Sequence, residues 1–270
     1  MVVYAILTQQ SVLSLFLAAI IPAFVTILLY AGAVRAYIIF EKDNVTGKLE
    51  AVPWKEKMKA TGQARLTMLI GVVMLGGIYS GIFTVNEGAA VGVILVFVTC
   101  LLRKTLTKEN FKETLIKAAA NIAMIYLILI GAEIYKSFLT LSGLPAMTVE
   151  WVGSLDMPPT VILLAVIFLY IALGCLFDAM AAMILTMPFV FPLVVGQLGY
   201  DPIWWGIMNV MIIEIGMITP PVGINIFVLQ SMQPDMKLRE IYRGLKYFIF
   251  ADVIRIVFFL LFPGLALVFV

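Results

Sequence analysis

The chain has 270 residues, of which 63% are hydrophobic and 13% are charged, and its formal net charge is +2. This composition is typical of an all-α polytopic membrane protein, and so small a net charge gives no reason to expect a nucleic-acid partner. The absence of histidine argues against most zinc hydrolases and against histidine-based acid–base catalysis. Cys100 and Cys175 lie in separate apolar segments, which favours buried thiols over a disulfide or a metal site.

The N-terminal part predicts one crossing followed by a charged connector. Residues 12–34 are apolar for long enough to span a bilayer, so residues 1–34 are assigned to a first transmembrane helix. Residues 35–65 alternate basic and acidic side chains. From Trp54 onward this connector has the pattern of an amphipathic helix along the lipid headgroups. A solvated loop is an equal alternative.

Residues 66–139 predict scaffold-type transmembrane helices. The segment 66–102 is too long for one crossing and is interrupted by polar residues at 84–88, which indicates two crossings with a tight connection. A basic stretch, 103–117, precedes a further span at 118–139.

Residues 140–232 contain two interrupted apolar segments, which we predict to form a transport-type unit. The first, 160–198, is broken at Gly-Cys-Leu-Phe-Asp (174–178). The second, 203–232, is broken at Ile-Thr-Pro-Pro-Val-Gly-Ile-Asn (218–225). Two adjacent prolines remove two backbone donors there, and Gly223 permits unusual dihedral angles. A simple proline kink is the alternative, but the coincidence of helix-breaking and polar residues favours a helix unwound within the membrane.

The C-terminal part, 233–270, predicts a basic cytoplasmic loop, 233–246, and a last transmembrane helix. Asp252 and Arg255 in that helix have the i, i+3 spacing of a structural ion pair.

The distribution of positive charge predicts the topology. Three stretches hold sixteen of the eighteen Lys and Arg residues, and the positive-inside rule places all three in the cytoplasm: 35–65, 103–117 and 233–246. The connections 140–159 and 199–202 carry no basic residue and are expected outside.

Under this topology, the segment 160–198 must begin and end on the outside. It is therefore either two full crossings or a re-entrant hairpin. Its first arm, 160–173, is about 21 Å long at helical rise, against a hydrocarbon core of about 30 Å. We therefore expect a hairpin whose tip reaches the depth of the second break.

Polar side chains at the two breaks suggest an ion or substrate site. Asp178 either contacts an ion or substrate or caps the returning arm, for which Asp is a preferred residue. Thr219 and Asn225 offer neutral oxygens that suit sodium better than a transition metal. The helix that restarts after Gly223 directs its positive end at the same place, which favours an anionic substrate. Glu214 is a candidate for cation or proton coupling, with a packing role as the alternative.

Several motifs resemble the large membrane subunit of TRAP (tripartite ATP-independent periplasmic) transporters. They are Gly174-Cys-Leu-Phe-Asp-Ala-Met-Ala-Ala-Met-Ile-Leu-Thr-Met-Pro188, Gly199-Tyr-Asp-Pro202, Glu214-Ile-Gly-Met-Ile-Thr-Pro-Pro-Val-Gly-Ile-Asn-Ile-Phe227, Gly76-Gly-Ile-Tyr-Ser-Gly-Ile-Phe-Thr84 with Glu87, and Asp252-Val-Ile-Arg255 before Phe262-Pro263. The chain departs from the family pattern at Val85-Asn86, where Pro-Thr is usual, and at Cys175, where Met is common.

The resemblance implies a sodium-driven symporter of small organic acids with an elevator fold like that of the ion-transporter superfamily. Such a fold has two inverted repeats, each with a re-entrant hairpin and a broken helix, and this chain would hold the second. Carried over by motif, one sodium site would involve Gly174, Asp178, Thr219, Pro221, Gly223 and Asn225. The substrate would contact Asp178, Thr219, Pro220, Gly223 and Asn225, and no cofactor or metal beyond sodium is implied.

The resemblance also implies partners and a location. These are a small membrane subunit, a periplasmic binding protein that delivers a C4-dicarboxylate, sialic acid or similar carboxylate, and the bacterial inner membrane. The start of the chain resembles the middle of the family, so the N-terminal repeat is expected to be absent and to be supplied in cis or in trans. A half-transporter or scaffold without activity of its own is therefore an alternative. An integral membrane enzyme is a weaker alternative, because no Asp-x-x-Asp or Gly-x-Ser-x-Gly motif is present.

Overall fold

The computed structural model describes residues 1–41, 53–220, 223–232 and 238–270, and all regular elements in these ranges are helices. The α-helices are α1 (Val2–Thr8), α2 (Val12–Ala18), α3 (Ile20–Phe40), α4 (Trp54–Tyr79), α5 (Val85–Leu102), α6 (Lys108–Ser142), α7 (Leu144–Ser154), α8 (Pro159–Leu176), α9 (Ala179–Phe191), α10 (Pro202–Ile218), α11 (Ile224–Met232) and α12 (Leu238–Leu261). A π-helical segment, Pro192–Gln197, continues α9, and a short 3₁₀ turn, Pro263–Leu265, follows α12.

Within the described ranges, five helical segments are long and apolar enough to cross a membrane: 12–40, 85–102, 108–142, 159–176 and 179–197. With the helical content, they confirm the all-α, multi-pass class predicted from composition.

The chain divides into two compact units, residues 1–45 with 128–270 and residues 46–127. In the second unit, α4 packs on α5. The connection between them is a capping box: the Thr84 side chain accepts from the Glu87 backbone N–H, and the Glu87 carboxylate accepts from the Thr84 N–H at 2.8 Å. The polar interruption predicted at 84–88 is therefore a helix start.

In the first unit, α10 is the central helix. It packs against α2, α8, α9, α11 and α12, and its side chains Trp204, Trp205 and Ile212 are almost completely buried. Asp201 begins the helix by accepting from two backbone N–H groups, at 2.8 and 2.9 Å. The Trp204 indole N–H donates to the Phe259 carbonyl at 3.1 Å, which ties α10 to α12. The broken helix thus lies in the core of this unit.

The end of α3 and the beginning of α12 lie together. Glu41 is 2.8 Å from the Lys246 ammonium and 4.0 Å from Arg243, and this carboxylate raises the pKa of Lys246. Residue 41 of the first basic stretch and residues 243–246 of the last one therefore meet at one end of this unit. This agrees with a common side of the membrane, but which side stays a prediction.

Several predicted boundaries are wrong because helices continue through the charged stretches. Residues 35–40 belong to α3 and residues 54–65 belong to α4, so there is no separate amphipathic helix in the described part of the connector; residues 42–52 lie outside the described residues. Residues 108–117 and 238–246 of the other two basic stretches are likewise helical, in α6 and α12, and residues 233–237 lie outside the described residues. The connection 140–159 contains α7. Lys, Arg and Glu have good helix propensity, so charge alone does not end a helix.

Candidate functional site at the two helix breaks

The first break separates α8 from α9 at Phe177 and Asp178, as predicted. Phe177 is extended, with φ −113° and ψ 158°, and the chain returns antiparallel to itself. The two arms are joined by a hydrogen bond of 2.6 Å between the Tyr170 and Thr186 hydroxyls, sixteen residues apart. Residues 159–197 are therefore a helical hairpin with its tip at the break.

The length of the hairpin arms differs from the prediction. Helix α8 continues to Leu176 and has 18 residues, about 27 Å at helical rise. Both arms are long enough to cross a membrane. Length therefore no longer distinguishes a re-entrant hairpin from two crossings, and the re-entrant arrangement stays a prediction.

The second break separates α10 from α11. Helix α10 ends at Ile218, and Thr219 is extended, with φ −94° and ψ 137°. Gly223, immediately before α11, has φ +56°, a conformation that favours glycine. A Cβ there would also lie 2.7 Å from Ile226 Cδ1 and 3.2 Å from the Thr219 carbonyl oxygen. The unwound segment thus requires glycine for both dihedral and steric reasons.

A contact between two glycines brings the breaks together. Gly174 lies in the last turn of α8 and Gly216 in the last turn of α10. A Cβ built on Gly216 would be 2.6 Å from Gly174 Cα, and a Cβ built on Gly174 would be 3.0 Å from Gly216 Cα. Just beyond this crossing, the Cys175 thiol lies 3.6 Å from the Pro220 carbonyl oxygen. The structure therefore places the tip of the hairpin against the unwound part of α10.

The side chains at the breaks have different surroundings. The exposed Asp178 carboxylate accepts from the Met180 backbone N–H at 3.0 Å, so it caps α9. The half-buried Thr219 hydroxyl donates to the Ile215 carbonyl at 2.6 Å, which leaves the lone pairs of its oxygen available. Asn225 is exposed. No hydrogen bond joins these three side chains to one another, although all three belong to the described part of the chain.

A cluster of acidic, basic and hydroxyl side chains holds α10 one turn before its break. The buried Arg255 guanidinium is 2.9 Å from Asp252 and 3.1 Å from Glu214, and it donates to the Thr26 hydroxyl at 2.9 Å. The Tyr30 hydroxyl donates to Asp252 at 2.9 Å. The cluster joins α3, α10 and α12, and the predicted pairing of Asp252 with Arg255 is confirmed.

Comparison with known proteins assigns the family. The model of the family described as "Tripartite ATP-independent periplasmic transporter, DctM component" matches residues 1–265. The chain belongs to this family. The resemblance seen in the sequence motifs is thus confirmed, and the chain is a TRAP large-permease sequence.

The names of the relatives of this permease chain specify different substrates. The C4-dicarboxylate TRAP transporter large permease protein DctM of Vibrio cholerae is 34% identical over 253 residues, which are 86% of this chain and 55% of the relative. The sialic acid TRAP transporter large permease protein SiaM of the same organism is 30% identical over 245 residues, 90% of this chain and 56% of the relative. The isethionate TRAP transporter permease protein DctMQ of Oleidesulfovibrio alaskensis is 31% identical over 232 residues, 86% of this chain and 36% of the relative. The chain spans about half the length, or less, of these relatives.

The described residues predicted for the site lie at or beside the two helix breaks, and their joint binding role stays a prediction. Gly174 and Asp178 flank the first break, and Thr219, Pro220, Gly223 and Asn225 belong to the second. Pro221 lies outside the described residues. Glu214 faces Arg255 rather than the breaks.

Two features of the permease site were missed by sequence reasoning. Gly216 was not singled out, although it stands three residues before Thr219 just as Gly174 stands three before Phe177; the shared position of the two glycines was the available signal. Tyr30 and Thr26 were missed because nothing in their local sequence connects them to residues 252–255.

Proposed function

We propose that this chain supplies one half of a sodium-coupled TRAP permease that takes up a small organic acid. The proposed sodium site comprises backbone and side-chain oxygens of Gly174, Asp178, Thr219, Pro221, Gly223 and Asn225. The proposed substrate contacts are Asp178, Thr219, Pro220, Gly223 and Asn225. The observation that carries the proposal is the Gly174–Gly216 contact, in which the last turn of α8, next to the hairpin tip, packs against the last turn of α10, next to its break.

Four helix ends meet at this place, and their polarity supports binding of both a cation and an anion. Helices α8 and α10 end there, so their terminal carbonyls form the negative ends of two helix dipoles. Helices α9 and α11 begin there and direct their positive ends at the same region. Carbonyl oxygens suit a hard cation such as sodium, and a helix N-terminus suits a carboxylate or sulfonate.

The proline pair removes the ordinary helical donors of two carbonyl oxygens. Neither Pro220 nor Pro221 has a backbone N–H, so the carbonyls of Gly216 and Met217 cannot accept their ordinary i+4 helical bonds. The Gly216 carbonyl accepts instead from the Thr219 N–H at 3.1 Å. An ion is a suitable partner for a carbonyl left open at membrane depth.

Glu214 has a positioning role in this proposal rather than the coupling role considered from the sequence. Its carboxylate is paired with Arg255, which is itself held by Asp252. Because Glu214 precedes Gly216 by two residues, this pair fixes the register at which Gly216 meets Gly174.

The activity of the whole transporter requires more than this chain. We propose that the first repeat, in cis or in trans, supplies the other half of the substrate cavity and a further sodium site. A small membrane subunit lies with this chain in the inner membrane, and a periplasmic binding protein completes the system. The elevator motion, the re-entrant placement of the hairpin and the cytoplasmic position of the basic stretches belong to the same proposal. The relatives' names include carboxylates and a sulfonate, so the substrate class is a small organic acid.

An uptake experiment tests this function. The assembled transporter that contains this chain is reconstituted in liposomes, and uptake of succinate, sialic acid and isethionate is compared in sodium and in potassium buffer. We expect sodium-dependent uptake of one of them, weakened by Thr219→Ala and by Asn225→Ala. Unchanged sodium dependence in both variants would remove the site assignment. If none of the three acids is taken up, a scaffold without transport activity is favoured.

A further inference from the structure

The first unit contains a cavity that none of the functions above uses. It has a volume of about 370 Å³ and lies between α1, α6, the start of α7 and α9. Its walls are mainly apolar, with Leu7 from α1 and Met187 and Phe191 from α9, while Lys136 and Thr140 of α6 provide polar groups. None of its lining residues belongs to either helix break. The cavity is therefore distinct from the proposed sodium site.

The cavity has an identifiable cause in the sequence. Pro188 and Pro192 both line it, and neither can donate the backbone bond that would continue a regular helix. At Pro192 the chain changes from α-helix to the wider π-helix, Pro192–Gln197. Such π segments occur often at functional sites. The space beside α9 thus follows from a break in helical regularity.

Lys136 is the cationic group that lines the cavity. It forms no ion pair with any carboxylate in the described ranges, even though Glu133 stands one turn earlier on the same helix. The neighbouring side chains Ile134, Phe138 and Leu141 are strongly exposed and apolar, which is typical of a surface that faces lipid. An unpaired cation on such a surface requires an anion or water.

Lys136 lies near the C-terminal end of α6, which is the end that approaches the lipid headgroups if this helix crosses the membrane. It stands six residues before the end of the helix at Ser142, about 9 Å at helical rise. A lysine side chain extends toward the nearer interface from such a depth. The ammonium is then close to the level of lipid phosphates, while the apolar walls formed by α1 and α9 are available to a hydrocarbon chain.

We propose that this cavity binds an anionic phospholipid. The phosphate pairs with the Lys136 ammonium, while the Thr140 hydroxyl, one turn further along α6, donates to the Lys136 carbonyl at 2.9 Å. One acyl chain lies against Leu7, Met187 and Phe191. The bound lipid joins α6 and the start of α7 to the hairpin arm α9. An organic acid such as succinate has the anionic group but no hydrocarbon chain that could pack against the apolar walls. The lipid has both and therefore fits the cavity better.

Native mass spectrometry of the purified chain in detergent tests the proposal, with dioleoylphosphatidylglycerol and dioleoylphosphatidylcholine as probes. We expect one phosphatidylglycerol per chain to remain bound in preference to phosphatidylcholine. Lys136→Gln should raise its Kd about tenfold or more, through loss of a charge-assisted contact. Lys117→Gln is the matched control, because Lys117 is on the same helix, outside the cavity, paired with Glu113. It should leave the Kd unchanged.

A second variant and a competitor make the result decisive. Met187→Trp fills the cavity without changing the charge, and it should abolish the tightly bound lipid while circular dichroism shows retained helix. Equal effects of Lys136→Gln and Lys117→Gln would overturn the proposal, as would equal retention of the two lipids by the wild-type chain. Displacement of the lipid by millimolar succinate would assign the cavity to an organic acid instead.

Discussion

The crossing of α8 and α10 gives the sharpest prediction, because it depends on the absence of two Cβ atoms. In Gly216→Ala the new Cβ would lie 2.6 Å from Gly174 Cα, 2.8 Å from the Gly174 carbonyl carbon and 3.0 Å from the Ile171 carbonyl oxygen. All three are backbone atoms and cannot rotate away. Ordinary contact requires a separation of about 3.5–4.0 Å, so the two helices must part by roughly 1 Å.

The expected effect of this displacement can be graded with a second glycine. In Gly174→Ala the nearest atoms are at 3.0 and 3.1 Å, so a smaller shift suffices. Overpacking of this kind costs about 1–3 kcal/mol, with Gly216→Ala near the upper end. If the crossing positions the sodium ligands, each 1.4 kcal/mol by which the binding-competent state is destabilised lowers the affinity for sodium about tenfold. We therefore expect half-saturation by sodium to rise more in Gly216→Ala than in Gly174→Ala.

The assay combines two measurements on the same variants. Thermal unfolding of the purified chain reports stability, and the sodium dependence of uptake by the assembled transporter reports the site. Gly131→Ala is the matched control, because Gly131 is a helical glycine of α6 with no atom within 4 Å of an added Cβ. Equal sodium dependence in the Gly131, Gly174 and Gly216 variants would refute the role assigned to the crossing.

Five further substitutions, at four positions, separate the roles of individual residues. Gly223→Ala must adopt a left-handed conformation and should lose about 1–2 kcal/mol of stability, measured by thermal unfolding; a neutral result would contradict the observed φ. Asp178→Asn retains the helix cap, whereas Asp178→Ala loses it and about 1 kcal/mol of stability. If sodium-dependent uptake falls in the Asn variant while its stability is unchanged, the charge of Asp178 has a role in transport. If uptake is unchanged in the Asn variant, Asp178 acts only as a helix cap. Arg255→Met leaves Asp252 buried and unpaired and should cost about 3–5 kcal/mol, whereas Glu214→Gln removes a half-exposed, screened partner and should cost less than about 1 kcal/mol. Denaturant titration compares the last two, and equal losses would contradict the cluster as described.

The two breaks could be predicted from sequence because each is marked by residues that act locally. Two adjacent prolines break an α-helix, Gly223 permits the left-handed conformation beside them, and Asp178 is a preferred N-cap. The contact between the breaks was expected only from a topological argument. Its actual basis, Gly216 against Gly174, joins residues 42 apart in the chain, and its one sequence signal is that each glycine stands three residues before a break.

Other features could not be read from the sequence for equally physical reasons. The charges at 54–65 suggest a connector separate from the next span, but Lys and Glu are good helix formers and α4 passes through these residues. The first hairpin arm was predicted too short because Gly174 was taken as its end. In the structure α8 continues to Leu176, since Gly174 packs against Gly216 within the helix. The link from Tyr30 to Asp252 spans 222 residues and depends on the packing of α3 on α12.

Sodium binding at the second break is the central claim, and a thermal shift of the purified chain tests it most directly. A ligand at one hundred times its Kd stabilises a folded protein by about 2.7 kcal/mol, so sodium but not potassium should raise the Tm measurably. Thr219→Ser keeps the oxygen and should retain this shift. Thr219→Val keeps the shape but removes the oxygen, and it should lose most of the shift. A sodium-specific shift that is equally large in Thr219→Val, or no shift in the wild-type chain, would contradict the account.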